Sequence, residues 1–182
     1  MTKKYCLDLR VMSVERLHDR YVLLSLSYDE LLPEMLPGQF VEISVTGSPR
    51  TFLRRPVSIN FVDRDNNELW LLVAVVGDGT RRLSALKTGD TVNCLLPLGN
   101  GFSFPATTSA DNGILLVGGG VGVAPCFLLL ALRLRHTSQC NDDEHDHNNE
   151  SNADIGVAYD GQVVHADGCF LGFGESAEDD LA

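Results

Sequence analysis

From Tyr5 to about Pro105 the apolar residues come in short runs rather than at helical spacing: residues 21–27, 40–45, 57–62, 69–76 and 91–96. Each run has strand length and carries β-branched or aromatic side chains, which pack well on a pleated surface. Turn-forming residues separate the runs, at Leu36-Pro37-Gly38, Gly47-Ser48-Pro49, Asp65-Asn66-Asn67, Gly77-Asp78-Gly79 and Thr88-Gly89-Asp90. The spacing predicts an all-β antiparallel barrel or sandwich. Closure suits a domain of roughly a hundred residues, because it removes the unpaired sheet edges. One short helix is predicted inside this region, over residues 80–87, with Leu83 and Leu86 three apart and Gly89 as its stop.

After a stretch of linker composition, residues 105–113, the pattern changes to a fully apolar strand at 114–117, then glycines, then an apolar helix over 124–135. A strand, a glycine turn and a helix in that order open an α/β domain. The chain therefore divides into a β domain over residues 1–108 and the beginning of an α/β domain over 109–182. Residues 137–154 are too polar to build a core and predict a flexible loop. Residues 168–172 read as a second short strand and 175–181 as a helix start.

Composition removes several function classes. The net charge of −11 is misleading, since residues 140–182 carry 12 acidic and no basic side chains, whereas the body before them is nearly neutral. A body with no basic stripe argues against nucleic acid as partner. The five cysteines, Cys6, Cys94, Cys126, Cys140 and Cys169, are odd in number and include no C-x-x-C pair, which suggests reduced thiols, most of them in the core, rather than disulfides or zinc. With no run of eighteen apolar residues and no leader pattern after Met1, the default expectation is a cytoplasmic protein without a membrane segment.

Three segments carry candidate chemistry. Arg54-Arg55-Pro56-Val57-Ser58 heads a strand and offers a guanidinium for phosphate, a hydroxyl for a ring nitrogen and a proline that fixes the backbone against a flat ligand. It equally suits two surface charges before an ordinary strand. Gly77-Asp78-Gly79-Thr80 precedes a helix, so its amides and the Thr80 hydroxyl can hold an anion, or form a turn with an N-cap. In Val117-Gly118-Gly119-Gly120-Val121-Gly122-Val123-Ala124-Pro125 a buried strand runs into glycines that admit a ligand to the backbone at a helix N-terminus. The Rossmann spacing fails at Val123, and no Lys-Ser/Thr ending makes a Walker loop. The run Asp142-Asp143-Glu144-His145-Asp146-His147 is read as a solvated loop rather than a metal site, because flexible acidic runs lack fixed geometry. His18, His136 and His165 have no visible partner in the sequence.

Four motifs in order, 53–59, 76–83, 96–102 and 116–125, resemble those of the electron-transfer subunits of class 1B dihydroorotate dehydrogenases, a ferredoxin reductase-like family. The resemblance covers roughly residues 5–135 and implies a barrel that binds FAD. Arg55, Pro56, Val57 and Ser58 would lie on the flavin and its phosphates, Leu72, Val73 and Ala74 along the next strand, and Gly79 and Thr80 at the pyrophosphate. Gly118, Gly119, Gly120 and Gly122, with Ala124 and Pro125, would serve NAD, conditional on a complete second domain.

In that family electrons pass from FMN on a partner catalytic subunit through a [2Fe–2S] cluster to FAD and on to NAD⁺, within a heterotetramer. The departure is that the family's later strands and its cysteine-rich cluster segment have no counterpart here. Cys126, Cys140 and Cys169 do not supply four ligands. The chain thus looks truncated, the apolar face of helix 124–135 looks uncovered, and activity of the chain alone is in question. Alternative expectations are a diaphorase subunit of sulfide dehydrogenase or hydrogenase type, or a flavin-binding fragment without turnover.

Overall fold

The computed structural model describes residues 3–47, 51–103, 115–140, 156–159 and 162–165. Six antiparallel strands close a barrel in the order β1-β2-β5-β4-β3-β6: β1 (Tyr5–His18), β2 (Tyr21–Ser27), β3 (Phe40–Ile43), β4 (Arg55–Asp63), β5 (Glu68–Ala74) and β6 (Thr91–Leu98). The open choice between barrel and sandwich resolves to a barrel because β1 pairs with β2 on one side and β6 on the other. β1 is missing from the apolar runs because its period is two. Leu9 and Val11 are fully buried while Asp8, Arg10 and Met12 face out.

Inward residues of all six strands meet in one core, with Leu24, Ile43, Ile59, Leu71, Cys94 and Leu96 at 0% exposure. Burial pushes the Cys94 thiol up to about 12, outweighing the opposing pull of Arg54.

The helix inside the barrel, α1, spans Asp78–Ser84 rather than 80–87. Its start moves back because the Thr80 hydroxyl accepts from the amides of Val76 and Gly77, at 2.9 and 3.0 Å, and so organises the turn before itself. Gly89 does not stop it. With φ +92°, Gly89 closes a separate turn in which Asp90 N donates to Lys87 O at 3.0 Å and Lys87 N to the Asp90 carboxylate at 2.8 Å.

Beyond the barrel, β7 (Leu115–Val117) leads through a 3-10 turn (Gly120–Val123) into α2 (Ala124–Cys140), and β8 (Gly156–Tyr159) returns parallel to β7 with β9 (Gln162–His165) antiparallel to it. One expectation changes. The stretch 137–140 is the last turn of α2 rather than loop, since His136-Thr137-Ser138-Gln139 contains no glycine or proline to break it. The strand that returns after α2 is 156–159. The boundary near 108, the rest of the acidic loop through residue 154, and segments 168–172 and 175–181 lie outside the described residues.

α2 is not uncovered. Its Phe127 ring packs edge-on to Phe61 of β4, with centroids 5.7 Å apart, and Leu128, 2% exposed, joins the barrel core. On its other side Cys126 and Leu129 cluster with Leu116 of β7. A helix covered on two sides needs apolar residues on both, which explains why this one reads as apolar all round.

Candidate functional site

Arg55 opens β4 and lies across the first turn of α1: a Cβ added to Gly79 would stand 3.1 Å from both Cδ and Nε of the arginine. Its Nε and Nη2 donate to the carbonyl oxygen of Leu53, at 3.3 and 3.2 Å, and among the described residues no carboxylate pairs with it. Asp78, next to Gly79 in the same turn, pairs with Arg81 instead, at 2.5 Å. A guanidinium held over backbone amides that a helix's first turn leaves unbonded suits a phosphate or pyrophosphate oxygen. Of the two parts expected of Thr80, its hydroxyl takes the one in the turn, also donating to Gly77 O at 3.1 Å.

Arg54 points elsewhere. Its Nη1 donates to the carbonyl oxygens of Asn93, at 2.9 Å, and Glu42, at 3.3 Å, and its Nη2 to Asn93 Oδ1. Asn93 Nδ2 in turn donates to the Asp8 carboxylate at 2.6 Å. The adjacent arginines are thus separated by their partners, one bound into the β1–β6–β3 wall and one lying over α1.

Alternation along the strands sorts the remaining candidates. Val57 and Val73 belong to the core, at 8% and 2% exposure, so their side chains are inside the barrel. Pro56 and Ser58 face outward on β4, the first exposed and the second half-buried. On β5, Leu72 and half-buried Ala74 alternate with core positions Leu71 and Val73. Ser58 pairs with Phe40 on β3, whose ring packs against Gly99: a Cβ there would stand 3.0 Å from it. Buried Gln39 fixes that corner, accepting from Leu36 N at 2.7 Å and donating to Gly99 O at 3.2 Å.

The glycine turn is built for close backbone approach. A Cβ on Gly118 would meet Val123 Cα at 2.8 Å, and Gly120 has φ +53°, a left-handed conformation that favours glycine. Gly119 and Gly122 face open space and are bonded to each other, Gly122 N donating to Gly119 O at 2.9 Å. Ala124 is fully buried and Pro125 sits in the first turn of α2, where its missing amide costs no bond.

The expected direct run from glycines to helix is interrupted by the 3-10 turn. Tyr21, at the start of β2, borders this turn, its hydroxyl 3.5 Å from where a Gly120 side chain would begin. Nothing local in the sequence marks Tyr21, because the barrel brings β2 beside β5 and β5 beside the turn. Among the described residues no three His, Cys, Asp or Glu side chains converge to hold a metal ion. No helix among them is long and apolar enough to cross a membrane.

No family model matches the chain. It is 42% identical over 117 residues to the electron transfer subunit of dihydroorotate dehydrogenase B (NAD⁺) of Lysinibacillus sphaericus, covering 64% of this chain and 45% of the relative. A second such subunit, from Bacillus mycoides, is 46% identical over 93 residues, covering 51% of this chain and 36% of the relative. Among solved structures, the Amycolatopsis cytochrome P450 reductase superposes with a TM-score of 0.68 at 23% identity, over 87% of this chain and 44% of that one. The chain therefore spans less than half the length of the curated relatives named here, and its fold is ferredoxin reductase-like.

Proposed function

We propose that this chain, similar over 117 residues to an electron transfer subunit of dihydroorotate dehydrogenase B, is the FAD-binding part of a flavin-dependent, NAD-linked oxidoreductase subunit. The observation that carries the reading is Arg55 lying over bare Gly79 at the start of α1, a cradle that a methyl group would fill and that fits a pyrophosphate. Arg55 and the Gly79 amide would hold the FAD phosphates, Pro56 and Ser58 the ring on the outer face of β4, with Leu72 and Ala74 beside it. Thr80 supports the turn. Bound FAD supplies the exchange between two-electron chemistry at a nicotinamide and one-electron chemistry at a metal cluster. The chain's own contribution is to bind, orient and shield that group.

NAD is assigned to the turn Gly118, Gly119, Gly120 and Gly122, with Ala124 and Pro125 starting the helix behind it. The division into residues 1–108 and 109–182 follows from the same assignment. The partner is an FMN-containing catalytic subunit, the assembly a heterotetramer, and the pathway pyrimidine biosynthesis. The [2Fe–2S] cluster of such an assembly is not assigned to Cys94, whose thiol faces the barrel core, or to Cys126, whose thiol burial also raises.

The test is reconstitution of the full chain with FAD. A flavin absorbance band that remains after gel filtration, and that NADH bleaches, supports both assignments. A band that NADH leaves unchanged separates FAD binding from NAD binding. A colourless protein ends the flavin reading.

A further inference from the structure

We propose that Arg54 is a positioning residue that holds Arg55 over Gly79. The proposal rests on the flavin reading above. Among the described residues Arg55 takes its orientation from one acceptor, the carbonyl oxygen of Leu53, to which its Nε and Nη2 both donate. That oxygen lies in the same planar peptide unit as the amide of Arg54, so whatever fixes Arg54 also aims the acceptor. The two residues before it give the segment no packing, Phe52 being 89% and Leu53 75% exposed.

Arg54, in contrast, is half-buried, and its guanidinium is bound by Asn93 O, Glu42 O and Asn93 Oδ1. Asn93 is itself held by Asp8 through its amide and receives the Ser44 amide at its carbonyl, 2.9 Å away. The chain of contacts runs from Asp8 through Asn93 and Arg54 to the Leu53 carbonyl and Arg55. Charge-assisted bonds make each link directional. A lysine at 54 keeps the charge and loses the fork that reaches both Asn93 oxygens.

A merely structural Arg54 would weaken FAD binding independently of Arg55, whereas a positioning one acts only through it. FAD titration of the full chain, followed by flavin fluorescence, distinguishes them. Loss of a charged hydrogen-bonding group at a phosphate predicts that Arg55→Gln weakens FAD by roughly thirtyfold and Arg54→Gln by roughly tenfold. The double variant should bind within about twofold of Arg55→Gln alone, since the second change has nothing left to aim. Arg54→Lys should recover little. Multiplicative losses in the double variant, or an Arg54→Gln protein with unchanged FAD affinity, overturn the proposal.

If Arg54→Gln does not fold, Asn93→Ala stands in for it, with a smaller loss and the same non-additivity with Arg55→Gln. A wild-type chain that binds no FAD defeats the flavin reading, and the role of Arg54 is then decided in the ligand-free protein by NMR. An Arg55 Nε–H that is ordered in the wild type and loosened by Arg54→Gln keeps the proposal, and one equally mobile in both ends it.

Discussion

At the scale of single residues, the sharpest contrast is between two glycines two positions apart. A Cβ at Gly79 meets the Arg55 side chain at 3.1 Å, while one at Gly77 meets nothing within 4 Å. Gly79→Ala is therefore expected to displace a flexible arginine rather than the backbone. FAD affinity should fall about tenfold, as for a lost charged hydrogen bond, with little change in melting temperature. Gly77→Ala should change neither, and calorimetric titration with FAD checks the pair.

Cys94 gives a prediction in pH. Its thiol is raised to about 12 from 9.0 chiefly by burial, so the folded state keeps its proton where the unfolded chain has lost it. The stability this contributes is complete below pH 9 and is lost as pH rises toward 12. Denaturation of wild type and Cys94→Ala across pH 8 to about 11 should show the steeper fall in the wild type. Equal slopes would refute it.

At the scale of elements, the sequence disclosed those whose signal is local and concealed those whose signal is not. β2 to β6 are visible as apolar runs between turns, but β1 alternates with charges and emerges only once β2 and β6 flank it. The two arginines at 54 and 55 look alike in the sequence. Their division of labour depends on Asn93, thirty-nine residues away along the chain. α2 was legible as an apolar helix but its covering was not, because the barrel face it needs is built from β4. Leu128 measures that docking. Leu128→Ala removes a side chain 2% exposed and is expected to cost about 2–5 kcal/mol, read as faster amide exchange along α2 than in the barrel.

At the scale of the whole molecule, the proposed FAD binding would be linked to folding of the barrel. A ligand present at a hundred times its dissociation constant adds about 2.7 kcal/mol to the folded state, if it has no affinity for the unfolded chain. For a barrel of about a hundred residues that corresponds to a rise of roughly 10–20 °C in melting temperature. The Gly79→Ala protein should show a smaller rise at the same FAD concentration. Differential scanning fluorimetry with FAD and FMN in parallel tests whether the chain needs the whole dinucleotide, since the site read from Arg55 and Gly79 addresses a pyrophosphate that FMN lacks. An equal rise with FMN would remove the argument from that cradle.

β4 serves both halves of the molecule, presenting Pro56 and Ser58 outward near its start and, further along, Phe61 to α2. A single inserted or deleted residue inside it would turn the side chains on one side of the change to the opposite face. Near its start, such a change would turn Val57 and Ile59 into solvent, and the proposed flavin-facing positions and the seat of α2 would be lost together. Length variation among descendants of this sequence should thus be barred from residues 55–63 and gather in exposed turns such as 64–66, where extra residues disturb neither. In a library of random single-codon insertions selected for flavin retention, β4 should appear as an unbroken gap.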